Sequence, residues 1–121
     1  MDKLPRPNKV HGSTIVVVTG CGKLYVTVNK VDNKLFEVFG QLGKSGGCIT
    51  CHTSGITRMI SLALRYGIPS EEIIEQLEGM KCPNSVVGMK DPLDNVSSCE
   101  DGISKAMRLM SDKLKLLEEE K

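Results

Sequence analysis

Hydrophobic and polar residues follow a strand-like pattern in the first third of the chain. Residues 14–19 are rich in β-branched side chains, and residues 23–30 alternate between apolar and polar positions. A two-residue hydrophobic period is typical of a strand with one buried face. Residues 20–22 and 31–34 break the pattern, and a third apolar stretch follows at residues 35–39. The sequence therefore predicts an antiparallel meander of three strands.

The pattern changes to a helical spacing in the second half of the chain. It predicts three helices, over about residues 53–66, 69–78 and 99–119, and Thr53 or Ser54 is a suitable cap for the first. The last helix carries apolar residues at alternating steps of four and three. These residues are Ile103, Met107, Met110, Leu114 and Leu117. We interpret this stripe as the face of a helix that lies on the sheet; the alternative is that the end of the helix pairs with a second subunit.

Together these elements predict an α+β fold, in which a small antiparallel three-stranded sheet is followed by and packed against about three helices. We expect an extended N-terminal arm over residues 1–12 and a single domain over residues 13–121. The sheet is expected within residues 13–40 and the helical part within residues 52–119. The loop over residues 83–96 is of a length that usually serves a purpose. An open sheet edge or the C-terminal helix would make the protein a homo-oligomer.

Composition and charge narrow the classes of function. The 121 residues carry a net charge of +1 with both signs spread along the chain, so no basic stripe is available for general nucleic-acid binding. The longest apolar run, residues 15–18, is far too short to cross a membrane, and residues 1–12 lack the pattern of a signal peptide. We therefore expect a cytoplasmic protein without a membrane partner.

Four of the five cysteines lie where the chain is predicted to turn or to change element. They are Cys21, Cys48, Cys82 and Cys99. An odd number of cysteines in a cytosolic chain argues against a framework of disulfides. Thiolates that converge from turns are typical of a tetrahedral zinc site, although the spacing differs from that of paired CxxC motifs. Buried structural thiols are the alternative interpretation.

Residues 48–52 contain a CxxCH pattern, which is typical of covalent haem attachment. Haem attachment normally accompanies export, and neither an export signal nor a helical haem pocket is predicted here. Cys48 and Cys51 could instead form a redox pair at a helix N-terminus, where the helix dipole lowers the pKa of a thiol. A thioredoxin-like protein, however, requires a βαβ pattern rather than a meander. A thiol redox function is therefore kept as an alternative.

A glycine-rich stretch, residues 40–47, precedes the first predicted helix. It is not a P-loop, because two residues separate its first glycine from Gly-Lys-Ser where four are required. A turn that carries Lys44 and Ser45 could still hold a single phosphate, together with Arg58 and Arg65 on the following helix. A flexible connection between strand and helix, without a ligand, is the alternative.

Several blocks of the sequence, taken in order, resemble the TSCPD domain family, which is named for its Thr-Ser-Cys-Pro-Asp motif. The blocks are TGCGKLYVTVN, FEVFGQLGKSGGC, TRMISLALRYGIPSEEIIEQLEGMKCP and SSCEDGISKAM. The resemblance extends from about Arg6 to Met107. At the position of the motif, residues 97–101 read SSCED, so that serine replaces threonine and glutamate replaces proline.

The TSCPD domain occurs at the C-terminal end of adenosylcobalamin-dependent (class II) ribonucleotide reductases and also as small stand-alone proteins, including a four-cysteine group. The resemblance implies that Cys21, Cys48, Cys82 and Cys99 occupy the cysteine positions of that group and could bind a metal, whereas Cys51 is additional. The family implies no settled activity for the domain by itself.

Ribonucleotide reduction requires a large barrel, a radical-carrying cysteine and a cobalamin site, and the pattern of this chain shows no cobalamin site. The resemblance therefore implies an accessory module that is not catalytic alone and is linked to deoxyribonucleotide synthesis. It would act in trans on a ribonucleotide reductase catalytic subunit or be a remnant of a reductase. The alternative is a small regulatory or sequestering protein, for example in a phage, that binds a nucleotide-like ligand. That ligand would be held by Lys44, Ser45, Arg58 and Arg65.

Overall fold

Three consecutive strands form one antiparallel sheet in a computed structural model of the chain. The structure describes residues 2–43, 47–83 and 95–119, with side chains except at 47, 48 and 117–119. The strands are β1 (His11–Thr19), β2 (Gly22–Val31) and β3 (Lys34–Leu42), in the order β1-β2-β3. The helices are α1 (Gly47–Arg65), α2 (Ser70–Leu77) and α3 (Cys99–Glu119). The predicted α+β fold with a three-stranded meander is confirmed.

The two hairpins use backbone conformations that their sequences favour. Asp32 and Asn33 both have positive φ angles, 52° and 61°, as a two-residue type I′ hairpin turn requires. Gly22, at the start of β2, has a φ of 130°, which residues with a side chain rarely adopt. Glycine at this position therefore lets the chain turn tightly from β1 into β2.

The sheet buries one face against the helices. Alternate residues of β1 and β2 lie in this core, namely Ile15, Val17, Leu24, Val26 and Val28. Helix α3 lies across the same face and contacts all three strands. Its buried apolar residues include Ile103, Met107, Met110 and Leu114. The interpretation of the α3 stripe as a face that lies on the sheet is confirmed for these residues. Within the described residues, no helix has the length and apolar character that crossing a membrane requires.

Helix α1 covers the outer edge of β3. The Ser61 hydroxyl donates to the carbonyl of Val38 and accepts from the N–H of the same residue, both at 2.9 Å. It thereby pairs backbone groups that the edge of a sheet leaves open. The helix comes close at Gly40, where an added Cβ would lie 2.9 Å from a methyl carbon of Thr53. Glycine in β3 therefore permits this close packing.

Helix α1 begins at Gly47, earlier than the start predicted at Thr53 or Ser54. Thr53 is buried, and its hydroxyl donates to the carbonyl of Ile49 at 2.8 Å, inside the helix rather than at its cap. The helix also packs against β3 at this point. Contact with the sheet stabilises a first turn that contains residues of low helix propensity, which the sequence pattern alone does not reveal.

The N-terminal arm is bound to the end of α1 and to the sheet. The Leu4 N–H donates to the Arg65 carbonyl at 2.9 Å, and Arg65 Nε donates to the Leu4 carbonyl at 3.0 Å. Arg6 contacts both carboxylate oxygens of Glu37 at 2.9 Å, and Asn29 donates to the same carboxylate. Burial raises the pKa of Glu37, but the hydrogen bonds from Arg6 and Asn29 outweigh burial and hold that pKa below its usual value. The arm is therefore part of the packed structure.

Candidate functional site

The motif at residues 97–101 forms the beginning of α3. The Ser98 hydroxyl accepts the backbone N–H of Asp101 at 3.0 Å, which is the contact that an N-cap residue makes with the third residue of a helix. Both side chains are buried. Ser98 and Asp101 therefore determine where α3 starts.

The carboxylate of Asp101 joins three parts of the chain. It accepts the backbone N–H of Gly79 at 2.9 Å, just after α2, and the N–H of Ser97 at 3.0 Å, just before α3. Lys105, one turn further along α3, donates to the same carboxylate and to the carbonyl of Asn95. Asp101 thereby holds the end of α2, the segment before α3 and α3 itself in one arrangement.

Asp101 is an ionised group in this arrangement. Burial raises its pKa, because the residue is 1% exposed, but the hydrogen bonds from Lys105, Gly79 and Ser97 outweigh burial. The pKa of Asp101 therefore lies below the ordinary value of 3.8. A carboxylate that is buried and charged depends on its donors, so the role of Asp101 here is structural rather than that of an acid at neutral pH.

Thr19 brings two of the four predicted ligand cysteines together. It ends β1, and its hydroxyl oxygen accepts the backbone N–H of Cys21 at 3.1 Å. The thiol of Cys99, in the first turn of α3, lies 3.9 Å from the same oxygen. Burial raises the pKa of Cys99, the contact with Thr19 opposes this rise, and the nearby Cys21 and Glu100 add to it. Cys99 is therefore a protonated thiol at neutral pH, and a metal ion bound there would have to displace the proton.

Of the other two predicted ligand cysteines, Cys82 is described with its side chain, whereas Cys48 is described by its backbone alone. The Cys82 N–H donates to the carbonyl of Ser97 at 2.9 Å, so the backbone of Cys82 lies beside the segment that leads to Cys99. Cys48 lies in the first turn of α1, and its side chain is outside the described residues. Among the described side chains, no three His, Cys, Asp or Glu residues form a group that could hold a metal. Cys21 and Cys99 are thus neighbours among the described residues, and the four-thiolate site stays a prediction.

A groove of about 660 Å³ lies between α1 and α2. Its apolar lining is formed by Ile56, Met59, Ile60, Ala63, Ile73 and Leu77. Cys51 and His52 also line it, and Cys51 is exposed with its thiol reduced. Cys51 is the one member of the predicted redox pair whose side chain is described. Its thiol is therefore accessible at a groove that offers mainly apolar contacts.

The residues predicted to bind phosphate are not assembled in the described part of the chain. Lys44 and Ser45 lie outside it. The guanidinium of Arg65 lies over the Phe36 ring, 5.8 Å from its centroid, and also donates to the N-terminal arm. Arg58 is exposed on α1. Arg65 is therefore already engaged in packing, whereas Arg58 faces solvent.

Two residues of this region, Thr19 and Asp101, are absent from the set of site residues predicted from sequence. The spacing Ser98-x-x-Asp101 is a capping signal, and it is the feature that could have identified Asp101. The contact of Thr19 with Cys99 joins residues separated by 80 positions. No local sequence pattern reports a contact over that separation.

Comparison with known proteins identifies the class to which this arrangement belongs. Residues 2–111 match the TSCPD domain family, and the chain belongs to that family. Among curated proteins it is similar to the vitamin B12-dependent ribonucleotide reductase of Agrobacterium fabrum (strain C58 / ATCC 33970), with 30% identity over 97 residues. The match covers 78% of this chain but spans 8% of the reductase. No solved structure gives a significant match.

Proposed function

We propose that this chain is an accessory module of vitamin B12-dependent ribonucleotide reduction, which acts on a reductase catalytic subunit and does not catalyse the reaction alone. The observation that carries the proposal is the similarity of 97 residues of this chain to a B12-dependent reductase of which they span 8%. A segment of that size supplies one part of a large enzyme. A separate chain of the same family would supply that part in trans, in support of deoxyribonucleotide synthesis.

Likeness in sequence does not by itself fix a function, so the arrangement of the motif is a second line of support. Ser98 and Asp101 bind groups of their own chain, and the Cys99 side chain is partly buried. These residues stabilise the module rather than react with a substrate. Under this proposal the radical-carrying cysteine, the cobalamin and the substrate pocket belong to the catalytic subunit.

The test uses the purified full chain and the B12-dependent catalytic subunit of the same organism. Sedimentation velocity measures complex formation, and turnover of a ribonucleotide with adenosylcobalamin is measured with and without the chain. We expect the chain alone to form no deoxyribonucleotide, to bind the subunit and to change its turnover. If no complex forms and turnover is unchanged, the proposal is wrong.

The two alternative functions, nucleotide binding and thiol redox chemistry, predict different results. If the chain alone binds a nucleotide by calorimetry, and the exposed Arg58→Ala substitution weakens that binding, the nucleotide-binding function is favoured. If the chain changes turnover only with a reduced thiol at Cys51, so that Cys51→Ser abolishes the effect, the thiol redox function is favoured. The accessory function predicts that both variants behave like the wild type.

We also propose that Cys21, Cys48, Cys82 and Cys99 bind one zinc ion that stabilises the module. The support is that the Cys21 backbone N–H and the Cys99 thiol contact the same Thr19 oxygen and that Cys21 lies close enough to Cys99 to affect the pKa of its thiol. A zinc ion held by four thiolates contributes directly to folding, and here it would connect the β1–β2 turn to the beginnings of α1 and α3.

Elemental analysis of the natively purified protein tests the zinc site. We expect about one zinc per chain, and each of the four Cys→Ser substitutions at the proposed ligands should lower the zinc content. Cys51→Ser is the matched control, because Cys51 is exposed in the groove and should leave the zinc content unchanged. Zinc-free protein as stable as the natively purified protein would refute the site.

A further inference from the structure

The two edges of the sheet differ in how they are covered. The outer edge of β3 lies under α1, where Ser61 pairs with the backbone of Val38. Strand β1 forms the opposite edge and pairs with β2 over its whole length. Among the described residues, no backbone hydrogen bond reaches β1 from an element other than β2. An edge strand of this kind presents a row of N–H and C=O groups to a further strand.

Strand β1 also lacks the features that normally prevent edge pairing. Residues 10–22 contain no Lys, Arg, Asp or Glu, and β1 contains no proline. Its pairing with β2 is continuous, whereas the irregularity in the sheet lies between β2 and β3 at Asn29 and Lys30. Charges, prolines and bulges are the usual means by which proteins block an edge strand. A strand of nine residues without them is open to another strand along about 30 Å.

The side chains beside this edge are apolar as well. Val16 lies on the outer face of β1 and is 45% exposed, next to its partner Tyr25 on β2. Ile15, which points to the core, is the most exposed of the buried apolar residues at 9%. A strand added at this edge would cover both residues, one on each face of the sheet.

We infer that the strand added at this edge is β1 of a second copy of the chain, so that two copies form one continuous six-stranded antiparallel sheet. Two identical edges related by a two-fold axis offer each other the same donors and acceptors, which makes an antiparallel pair self-complementary. Because residues 10–22 carry no formal charge, no like charges face each other along the paired strands.

The alternative interface, the end of α3, has less to offer. Met107, Met110 and Leu114, which belong to the apolar stripe of α3, are at most 6% exposed because they pack in the core of their own chain. This part of the stripe is not available to a second subunit, and Leu116 is the one large apolar side chain exposed in the described part of α3. The dimer contact is therefore assigned to β1, and this assignment does not depend on the reductase partner.

Two matched substitutions test the inference on the full-length chain. Val16→Lys places a charge on the open edge, and Phe39→Lys places the same charge on β3, where Phe39 is 50% exposed on the strand covered by α1. Sedimentation equilibrium should give a dimer for the wild type and for Phe39→Lys. The dimer dissociation constant of Val16→Lys should rise at least about tenfold, from like charges brought together at the paired edge. Circular dichroism and a thermal unfolding curve confirm that each variant is folded.

Amide hydrogen exchange provides a readout that is specific to the edge. In the wild-type dimer, alternate amides of β1 should exchange slowly, and the same amides should exchange faster after dilution to the monomer and in Val16→Lys. A wild-type chain that is monomeric at all concentrations overturns the inference. A dimer that is weakened equally by both substitutions also overturns it, because that result indicates contact through the face of the sheet. Slow exchange of the β1 amides in the monomer overturns it as well, because that result indicates that another segment of the same chain covers the edge.

Discussion

Replacing Asp101 with alanine tests whether this buried carboxylate holds the module together. The substitution removes the acceptor for the N–H groups of Gly79 and Ser97 and for the ammonium group of Lys105. A hydrogen bond to a charged group contributes about 1.5–3 kcal/mol, and breaking a buried ion pair from one side costs about 3–5 kcal/mol. Lys105 is 30% exposed and can turn to water, which lowers the cost. We expect Asp101→Ala to lower the free energy of unfolding by about 3–4 kcal/mol.

Urea denaturation followed by circular dichroism measures this loss. Asp112→Ala is the matched control, because Asp112 is an exposed carboxylate on the same helix and its removal should cost no more than about 0.5 kcal/mol. Asp101→Asn keeps the size of the side chain and one acceptor oxygen, so its loss should lie between those of the other two variants. A loss below about 1 kcal/mol for Asp101→Ala would show that the three donors find other partners, and the structural role would be refuted.

The same residue predicts a pH dependence. The pKa of Asp101 in the folded chain lies below its ordinary value of 3.8, so the folded state favours the charged form. The stabilisation from Asp101 is then fully present above pH 3.8 and is lost as the pH falls through the lowered pKa. The difference in unfolding free energy between the wild type and Asp101→Ala should therefore be constant near neutral pH and shrink in the acid range below 3.8. A difference that is unchanged in this acid range would contradict the assignment of the charge.

Two further predictions concern the contact of α1 with β3. Ser61→Ala leaves the backbone groups of Val38 without their partner and should lower the free energy of unfolding, measured with heat or urea, by about 1–3 kcal/mol. Ser54 is exposed on the same helix, so Ser54→Ala should change this free energy little. Equal effects of the two substitutions would contradict the role of Ser61. Gly40→Ala forces a carbon to within 2.9 Å of the Thr53 methyl and should cost about 1–3 kcal/mol. Adding Thr53→Ser removes that methyl and should recover part of the loss, so that additive losses would argue against a steric cause.

The strands could be predicted because their signals are local. Alternation in β2 and the break at Asp32 and Asn33 report directly which face is buried and where the chain turns. The start of α1 could not be predicted in this way. Thr53 has the side chain of a cap residue, but its packing at Gly40 of β3 places it inside the helix. The preference of Thr53 for a cap position is thus overridden by its contact with β3, a strand that precedes it in the chain.

The contacts around the cysteines could not be read from local patterns in the same way. The placement of cysteines at turns predicts a shared site, which stays a prediction, whereas the contacts of Cys21 and Cys99 with Thr19 are seen only in the structure. The residue that joins them has no sequence signature of its own, since a threonine at the end of a strand is ordinary. The bond from Gly79 to Asp101 likewise spans 22 positions. Such contacts depend on how the helices pack on the sheet, which periodicity does not specify.

The hydrogen bonds around Asp101 also fix the two ends of the segment between Cys82 and Ser97. The length of this segment should therefore have little effect on the stability of the fold. The Cys82 N–H donates to the Ser97 carbonyl, and Asp101 accepts the N–H groups of both Gly79 and Ser97, so Cys82 and Ser97 are held close together. When the two ends of a segment are held in this way, each doubling of its length costs only about 0.6 kcal/mol. A reporter sequence inserted between Pro83 and Asn95 should therefore change the free energy of unfolding little, as long as Val96 keeps its place in the core.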